Sequence, residues 1–186
     1  AVAVTAARQS VIKAINDEAA KGWFGFPGVK LLLAGETERW LSKMPALEVE
    51  DQFMLAARVA RLNGDVTMPG PHVSDFQALH LGSQTLADQS STGQQKAMLI
   101  AVILAHARLQ DRRLGRVPVM LFDDVVAHLD SQRRAALFEA VGCLGGQCWF
   151  SGTDGGQFNG LAKTAQFIKI SPANSAGQSP VFEVMQ

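Results

Sequence analysis

The chain has 186 residues, 17 basic and 17 acidic side chains, a net charge of zero and a pI near 7.1. That length suits one domain, or a domain with a subdomain, and 47% apolar residues is ample for a core. Balanced charge argues against a wholesale basic nucleic-acid binder, though not against a local basic patch, and no segment reaches the ~18 apolar residues of a membrane span.

Cys143 and Cys148 fit reduced cytoplasmic thiols better than a disulfide scaffold. Their spacing is not that of a zinc site, and no His lies nearby. Residues 1–20 alternate apolar and charged side chains, unlike a signal peptide. The chain opens without Met inside a helix-like run and reads as a fragment.

Residues 2–20 carry Val4, Ala7, Val11, Ala14 and Ile15 at helical spacing, which predicts an amphipathic helix. Residues 22–28, with Pro27, break it, and 29–34 reads as a strand. Two helices are predicted at 36–43 and 48–62, with Pro45 between them and Asn63-Gly64-Asp65 as a turn. Pro69-Gly70-Pro71-His72 makes a rigid corner before a strand at 76–81. Ser90 to Gly93 is a polar loop, and 96–113 a long helix, apolar enough to be buried on more than one side. Val117 to Phe122 is the central strand and 132–141 a helix with a basic start. A short strand at 147–151 leads into a Gly-rich loop at 152–156, followed by a strand at 167–170, a polar link at 173–179 and a last strand at 181–184. Alternating strands and helices in the second half predict an α/β fold with a parallel sheet flanked by helices. The mostly helical first half reads as an inserted or lateral subdomain, and there is no internal repeat.

The most informative stretch is Met120-Leu121-Phe122-Asp123-Asp124, followed by Leu129-Asp130. An apolar run of this kind is a buried parallel strand, and ligands sit at the carboxyl ends of such strands. Asp123 reads as a Mg²⁺ ligand, directly or through water, and Asp124 as the group that orients or activates an attacking water. Phosphoryl transfer needs little beyond positioning and charge neutralisation. The plainer alternative is a pair of solvated acids at a strand end, or a helix N-cap.

Upstream, Ser91-Thr92-Gly93-Gln94-Gln95-Lys96 opens the long helix. A helix N-terminus favours an anion, and Gly93 lets the backbone approach a phosphate closely. A simple N-cap is the alternative. Thr153, in the Gly-rich loop, faces the same crevice if its strand adjoins that of Asp123, where it could bond a phosphate or the water. A bland turn is the other reading. Arg108, Arg112, Arg113, Arg116, Arg133 and Arg134 form a basic group. Such a patch suits a phosphate backbone, as Arg108, Arg112 and Arg113 would, but equally suits solvated helix ends. The four histidines show no ligand spacing. His106 reads as a core residue, and Trp23, Trp40 and Trp149 as core. No G-x-x-x-x-G-K-[ST] phosphate loop occurs, so the chain alone cannot cradle β- and γ-phosphates in the usual way.

At these motifs the sequence resembles the C-terminal half of the RecF family of recombination and repair ATPases, which belong with ABC-type ATPases and are similar to SMC heads. The resemblance covers most of the chain. It is carried by Gly70-Pro71-His72 with Asp75, the signature-like Ser91 to Lys96, the Walker B strand ending in Asp123-Asp124, and the D-loop-like Ala127-His128-Leu129-Asp130. It implies half of an ABC-ATPase-like P-loop fold, with 1–68 as part of a helical lateral subdomain and 69–186 as the ATPase core half. It implies ATP and Mg²⁺ as cofactors, with Asp123 as metal ligand and Asp124 where many ABC ATPases carry a catalytic Glu. Ser91, Thr92, Gly93 and Gln94 would form the signature, with Ser91 and Gly93 on the γ-phosphate of ATP bound to the opposite subunit. Asp130 would lie across the interface of an ATP-dependent homodimer, and Thr153 near a γ-phosphate sensor. The implied partners are DNA at single-strand gaps or duplex junctions and the mediators RecR and RecO, with help in loading RecA.

The sequence departs from the ABC pattern at three places. Ser90 replaces the signature's first Leu, Thr92 replaces its first Gly, and no His stands near Thr153 as the switch. These fit a slow, switch-like ATPase, inactive without a phosphate loop. Another ABC or SMC-type head, or a non-catalytic interaction module on the same fold, remains open at this point, with Pro71-His72 and Asp75 as the discriminators.

Overall fold

The computed structural model describes residues 1–64, 70–171 and 181–185. Asp65 of the predicted turn, Pro69 of the corner, the 68/69 boundary and the polar link at 173–179 lie outside the described residues. Five helices, α1 (Val2–Ala19), α2 (Glu36–Leu41), α3 (Ala46–Asn63), α4 (Thr92–Leu114) and α5 (Ser131–Leu144), accompany seven strands among the described residues. The strands are β1 (Val29–Ala34), β2 (Asp75–His80), β3 (Thr85–Leu86), β4 (Met120–Phe122), β5 (Cys148–Phe150), β6 (Phe167–Ser171) and β7 (Val181–Met185).

Gly22 ends the turn after α1 with φ +63, and a Cβ there would meet the Phe26 carbonyl oxygen at 2.8 Å, so the chain reverses tightly into β1. Strands β1, β2 and β3 form an antiparallel sheet in that order, with Val29 opposite His80 and Ala34 opposite Asp75. At the β1 edge the Asn16 side chain donates to the Leu31 carbonyl at 2.9 Å and accepts the Leu31 N–H at 2.7 Å. Those bonds satisfy backbone groups that an edge strand leaves open. The 1–68 segment thus contributes a strand as well as helices, and that strand pairs with β2 of the second segment.

Helix α4 organises the core. Ala97, Met98, Ile100, Ala101, Leu104, Ala105 and Ala107 are buried, clustered with Ile15 and Ala19 of α1, Leu31 of β1, Met120 and Phe122 of β4, and Leu137 and Ala140 of α5. The small Ala residues allow close helix approach while Met98 and Leu104 fill the centre. Gly115 closes α4 at φ +63. The helix starts at Thr92 rather than 96, because Ser91 and Gln94 cap it reciprocally.

Strands β4 and β5 are parallel, with Met120 opposite Cys148, Leu121 opposite Trp149 and Phe122 opposite Phe150. The predicted strand at 117–122 shortens to three residues, since Pro118 lacks the ladder donor. Phe122 stacks on Phe150 at 5.0 Å, and Phe138 of α5 meets Phe150 edge-on at 5.4 Å, which fixes the carboxyl ends of both strands. The opposite face is open: Leu121 and Trp149 are exposed, so Trp149 is not core as expected. His106 is exposed as well, 3.1 Å from the Gln110 side chain on the outer face of α4. The Gly-rich loop closes at Gly155 into a 3₁₀ turn running to Leu161, capped by Asp154 on the Gly156 N–H at 2.9 Å. Strands β6 and β7 pair antiparallel in a separate two-stranded sheet.

Candidate functional site

Asp123 and Asp124 follow β4 directly and are both exposed. The β4–β5 register carries on past the strands and sets Asp123 beside Ser151, whose backbone N–H donates to the Phe122 carbonyl at 3.0 Å. The Ser151 hydroxyl donates to Asp123 Oδ1 and accepts the Asp124 N–H at 3.1 Å. Asp124 has φ +51, a left-handed conformation that Asp tolerates better than most residues. Its Oδ2 lies 3.6 Å from His128 Nε2. The two carboxylates at this strand end therefore have different neighbours, Ser151 for Asp123 and His128 for Asp124.

The 3₁₀ turn Val126–His128 carries the chain from that corner to α5. Val126 is fully buried against Phe138 and Phe158. Asp130 is the N-cap of α5, and its Oδ1 accepts the Arg133 N–H at 2.8 Å. That capping role is one sequence reasoning did not assign to it.

At the head of α4, the Ser91 hydroxyl accepts the Gln94 N–H at 3.3 Å while the Ser91 N–H donates to Gln94 Oε1 at 3.1 Å. The N-cap alternative is therefore realised. Ser91, Thr92 and Gly93 nonetheless stay exposed. A Cβ at Gly93 would meet Arg133 Nη1 at 3.5 Å, an ordinary contact, so nothing among the described residues demands glycine there. Arg133 joins the two segments, with Nη1 3.4 Å from the Gly93 carbonyl oxygen and 3.8 Å from Asp130 Oδ2.

Thr153 follows Ser151 on the exposed segment beyond β5, as its strand's adjacency to β4 requires, but no hydrogen bond joins it to either carboxylate among the described residues. Arg108 and Arg112 reach from α4 to Glu18 on α1. Glu18 is 5% exposed, with Oε2 3.1 Å from Arg108 Nη2 in an ion pair and Oε1 bonded by Arg112. Arg108 also stacks over Trp23 at 4.8 Å. Arg113 is exposed. Sequence reasoning missed Ser151 as a site element, and it placed Arg133 in the basic group without its contact to Gly93. A hydroxyl at the end of the neighbouring parallel strand and a basic residue three positions after Asp130 were the available signals.

An α/β half of this kind, with paired acids at a parallel strand end and a capped long helix opposite, has the fold of RecF and SMC-type ATPase heads. A solved structure described as the recombination mediator protein RecF with ATP in the RecFOR pathway superposes with a TM-score of 0.67 at 16% identity, covering 99% of this chain and 48% of that one. An SMC head bound to the C-winged helix domain of ScpA gives a TM-score of 0.54 at 14% identity, covering 95% and 44%. In sequence the chain is 40% identical over 157 residues to the DNA replication and repair protein RecF of Agrobacterium fabrum, covering 83% of this chain and 42% of that protein. It is 37% identical over 175 residues to that of Rhizobium johnstonii, covering 91% and 46%. No protein-family model matches. The chain belongs to the RecF family, and it spans less than half the length of the curated relatives it matches.

Proposed function

We propose that the chain is the C-terminal part of a RecF-like ATPase acting in recombinational repair, with Asp123 and Asp124 as its hydrolytic acids. The observation that carries this reading is the pair of exposed acids at the carboxyl end of β4, where the Ser151 hydroxyl beyond the adjoining strand bonds the Asp123 carboxylate and the Asp124 backbone N–H. Asp124 orients the attacking water and accepts its proton's hydrogen bond. Asp123 is the Mg²⁺ ligand. Mg²⁺ on nucleotide phosphates takes one or two carboxylates and keeps its waters, so an exposed Asp123 suits it although no group of three ligating side chains converges among the described residues. When bound, the ion neutralises charge on the phosphates.

Ser91, Thr92, Gly93 and Gln94 contact ATP held by the opposite subunit of an ATP-dependent homodimer, through the exposed first turn of α4. Asp130 lies at that interface and Thr153 senses the γ-phosphate. The dimer acts in the cytoplasm on DNA at single-strand gaps, with RecR and RecO as partners in loading RecA. The described helices include none long and apolar enough to cross a membrane. The basic side chains Arg112 and Arg113 at the end of α4 suit a phosphate backbone.

The test is ATP turnover and light-scattering mass of the full-length parent polypeptide, with and without gapped DNA. ATP-dependent dimers with slow, DNA-stimulated turnover are expected. A monomer indifferent to ATP and DNA would overturn the reading and leave the acids as structural.

A further inference from the structure

We propose that Ser151 is the positioning residue of the acid pair: its hydroxyl sets Asp123 and Asp124 relative to one another and so aligns the attacking water. The inference rests on the ATPase reading above.

A serine hydroxyl has one proton to give and lone pairs to accept with. Here the proton goes to Asp123 Oδ1 and a lone pair takes the Asp124 N–H at 3.1 Å. One side chain thus holds the carboxylate of one acid and the backbone of the next. The Ser151 backbone is itself fixed, because its N–H donates to the Phe122 carbonyl at 3.0 Å and Phe122 stacks on Phe150. Rigidity therefore passes from the aromatic core to the hydroxyl.

Two consequences follow for the acids. The bond to Oδ1 fixes the rotation of the Asp123 carboxylate and leaves Oδ2 without a hydrogen-bond partner among the described residues, available to a cation. The bond from the Asp124 N–H holds a residue at φ +51, where backbone conformations are sparsely populated and persist when neighbours determine them. Without the hydroxyl, the corner at Asp124 loses its tether and the Asp123 carboxylate rotates freely. Ser151, Asp123 and Asp124 are all exposed, so water can satisfy the freed groups and the fold does not depend on the contact. The loss falls on alignment, and a misplacement of about 1 Å costs on the order of 100-fold in rate.

The experiment compares Ser151→Ala, Ser151→Thr and Asp124→Asn with wild type in the full-length parent polypeptide, measuring kcat, KM for ATP, ATP affinity and melting temperature. Ser151→Ala should lower kcat by roughly 10- to 100-fold with ATP affinity and melting temperature unchanged. Ser151→Thr, which keeps the hydroxyl, should restore most of the rate. Wild-type kcat in Ser151→Ala beside a defective Asp124→Asn overturns the role of Ser151 while the ATPase reading stands. A loss that Thr does not rescue also overturns it. If Asp124→Asn turns over like wild type, or the parent has no turnover, the ATPase reading fails and takes this inference with it.

Discussion

Arg133 Nη1 lies 3.4 Å from the Gly93 carbonyl oxygen, so the first turn of α5 is tied to the first turn of α4 across 40 residues of chain. The same side chain is 3.8 Å from Asp130 Oδ2, and its backbone N–H completes the Asp130 cap. The proposed signature and D-loop thus adjoin through Arg133. Arg133→Ala should lower stability by no more than ~1 kcal/mol, because the contact is partly solvated. It should weaken ATP-dependent dimerisation roughly tenfold, corresponding to ~1.4 kcal/mol. Lys cannot replace the fork of donors and should rescue poorly. Light-scattering mass against protein concentration reads the effect, and an unchanged dimer constant would separate the two segments functionally.

Asp124→Asn keeps a residue that accepts the left-handed corner, so the turn survives while the carboxylate is lost. Turnover should fall by ~10²- to 10⁴-fold with ATP binding retained. Dimers should then persist long after ATP is added. Steady-state hydrolysis and dimer lifetime measure this, and wild-type hydrolysis would remove Asp124 from the mechanism.

Ser91 has a cap to provide whatever else it does, and three substitutions separate the two roles. Ser91→Ala should cost ~1 kcal/mol of stability through loss of the cap. Ser91→Asp keeps a capping acceptor but sets negative charge where a γ-phosphate is proposed, so stability should hold while dimerisation is lost. Ser91→Arg should block dimerisation sterically and spare monomer nucleotide binding. Melting curves with light scattering resolve these, and ATP dimers in both charged variants would place the phosphate elsewhere.

What the sequence made legible was local. The apolar run into Asp123-Asp124 identified a strand end, and the polar turn at Ser91 identified a helix start, because both signals lie within a few residues. The Ser151–Asp123 and Arg133–Gly93 contacts span 28 and 40 residues. They depend on β4 and β5 being adjacent and on α4 and α5 packing together, which no single-segment pattern encodes. Trp149 and His106 were misjudged for a related reason. Apolar periodicity does not say which face of a strand or helix finds a partner, and here Leu99 and Ile103 stay exposed on α4 beside His106.

Burial pushes the Cys148 thiol up to about 11, while Cys143 is exposed. Cys143 should react with iodoacetamide at pH 8 well before Cys148, since the thiolate is the nucleophile. The raised value also carries a sign for stability. Below about 9 the Cys148 thiol is neutral in folded and unfolded chains alike, and as pH rises from about 9 toward 11 only the unfolded chain ionises it. Stability should therefore fall over that window, and Cys148→Ser should flatten this part of the pH dependence. Mass spectrometry after timed alkylation and melting temperature against pH check both, with equal alkylation rates counting against burial of Cys148.

Glu18 separates the arginines of α4 into two kinds. Arg108 is committed to Glu18 and Trp23, with its side chain 17% exposed, whereas Arg113 faces solvent. Arg108→Ala strands a carboxylate that is 5% exposed, and should cost on the order of 1–3 kcal/mol of stability. Arg112, with a 56% exposed side chain, limits the loss by keeping its own bond to Glu18. Arg113→Ala removes charge without a packed partner, so melting should be unchanged while DNA affinity falls and the salt dependence of binding loses a slope of ~1. The two variants should thus move different observables. Binding isotherms at several salt concentrations beside melting curves distinguish them. Unaltered DNA affinity in Arg113→Ala would take Arg113 out of the phosphate contact and leave Arg112 as the exposed arginine of the last turn of α4 to carry it.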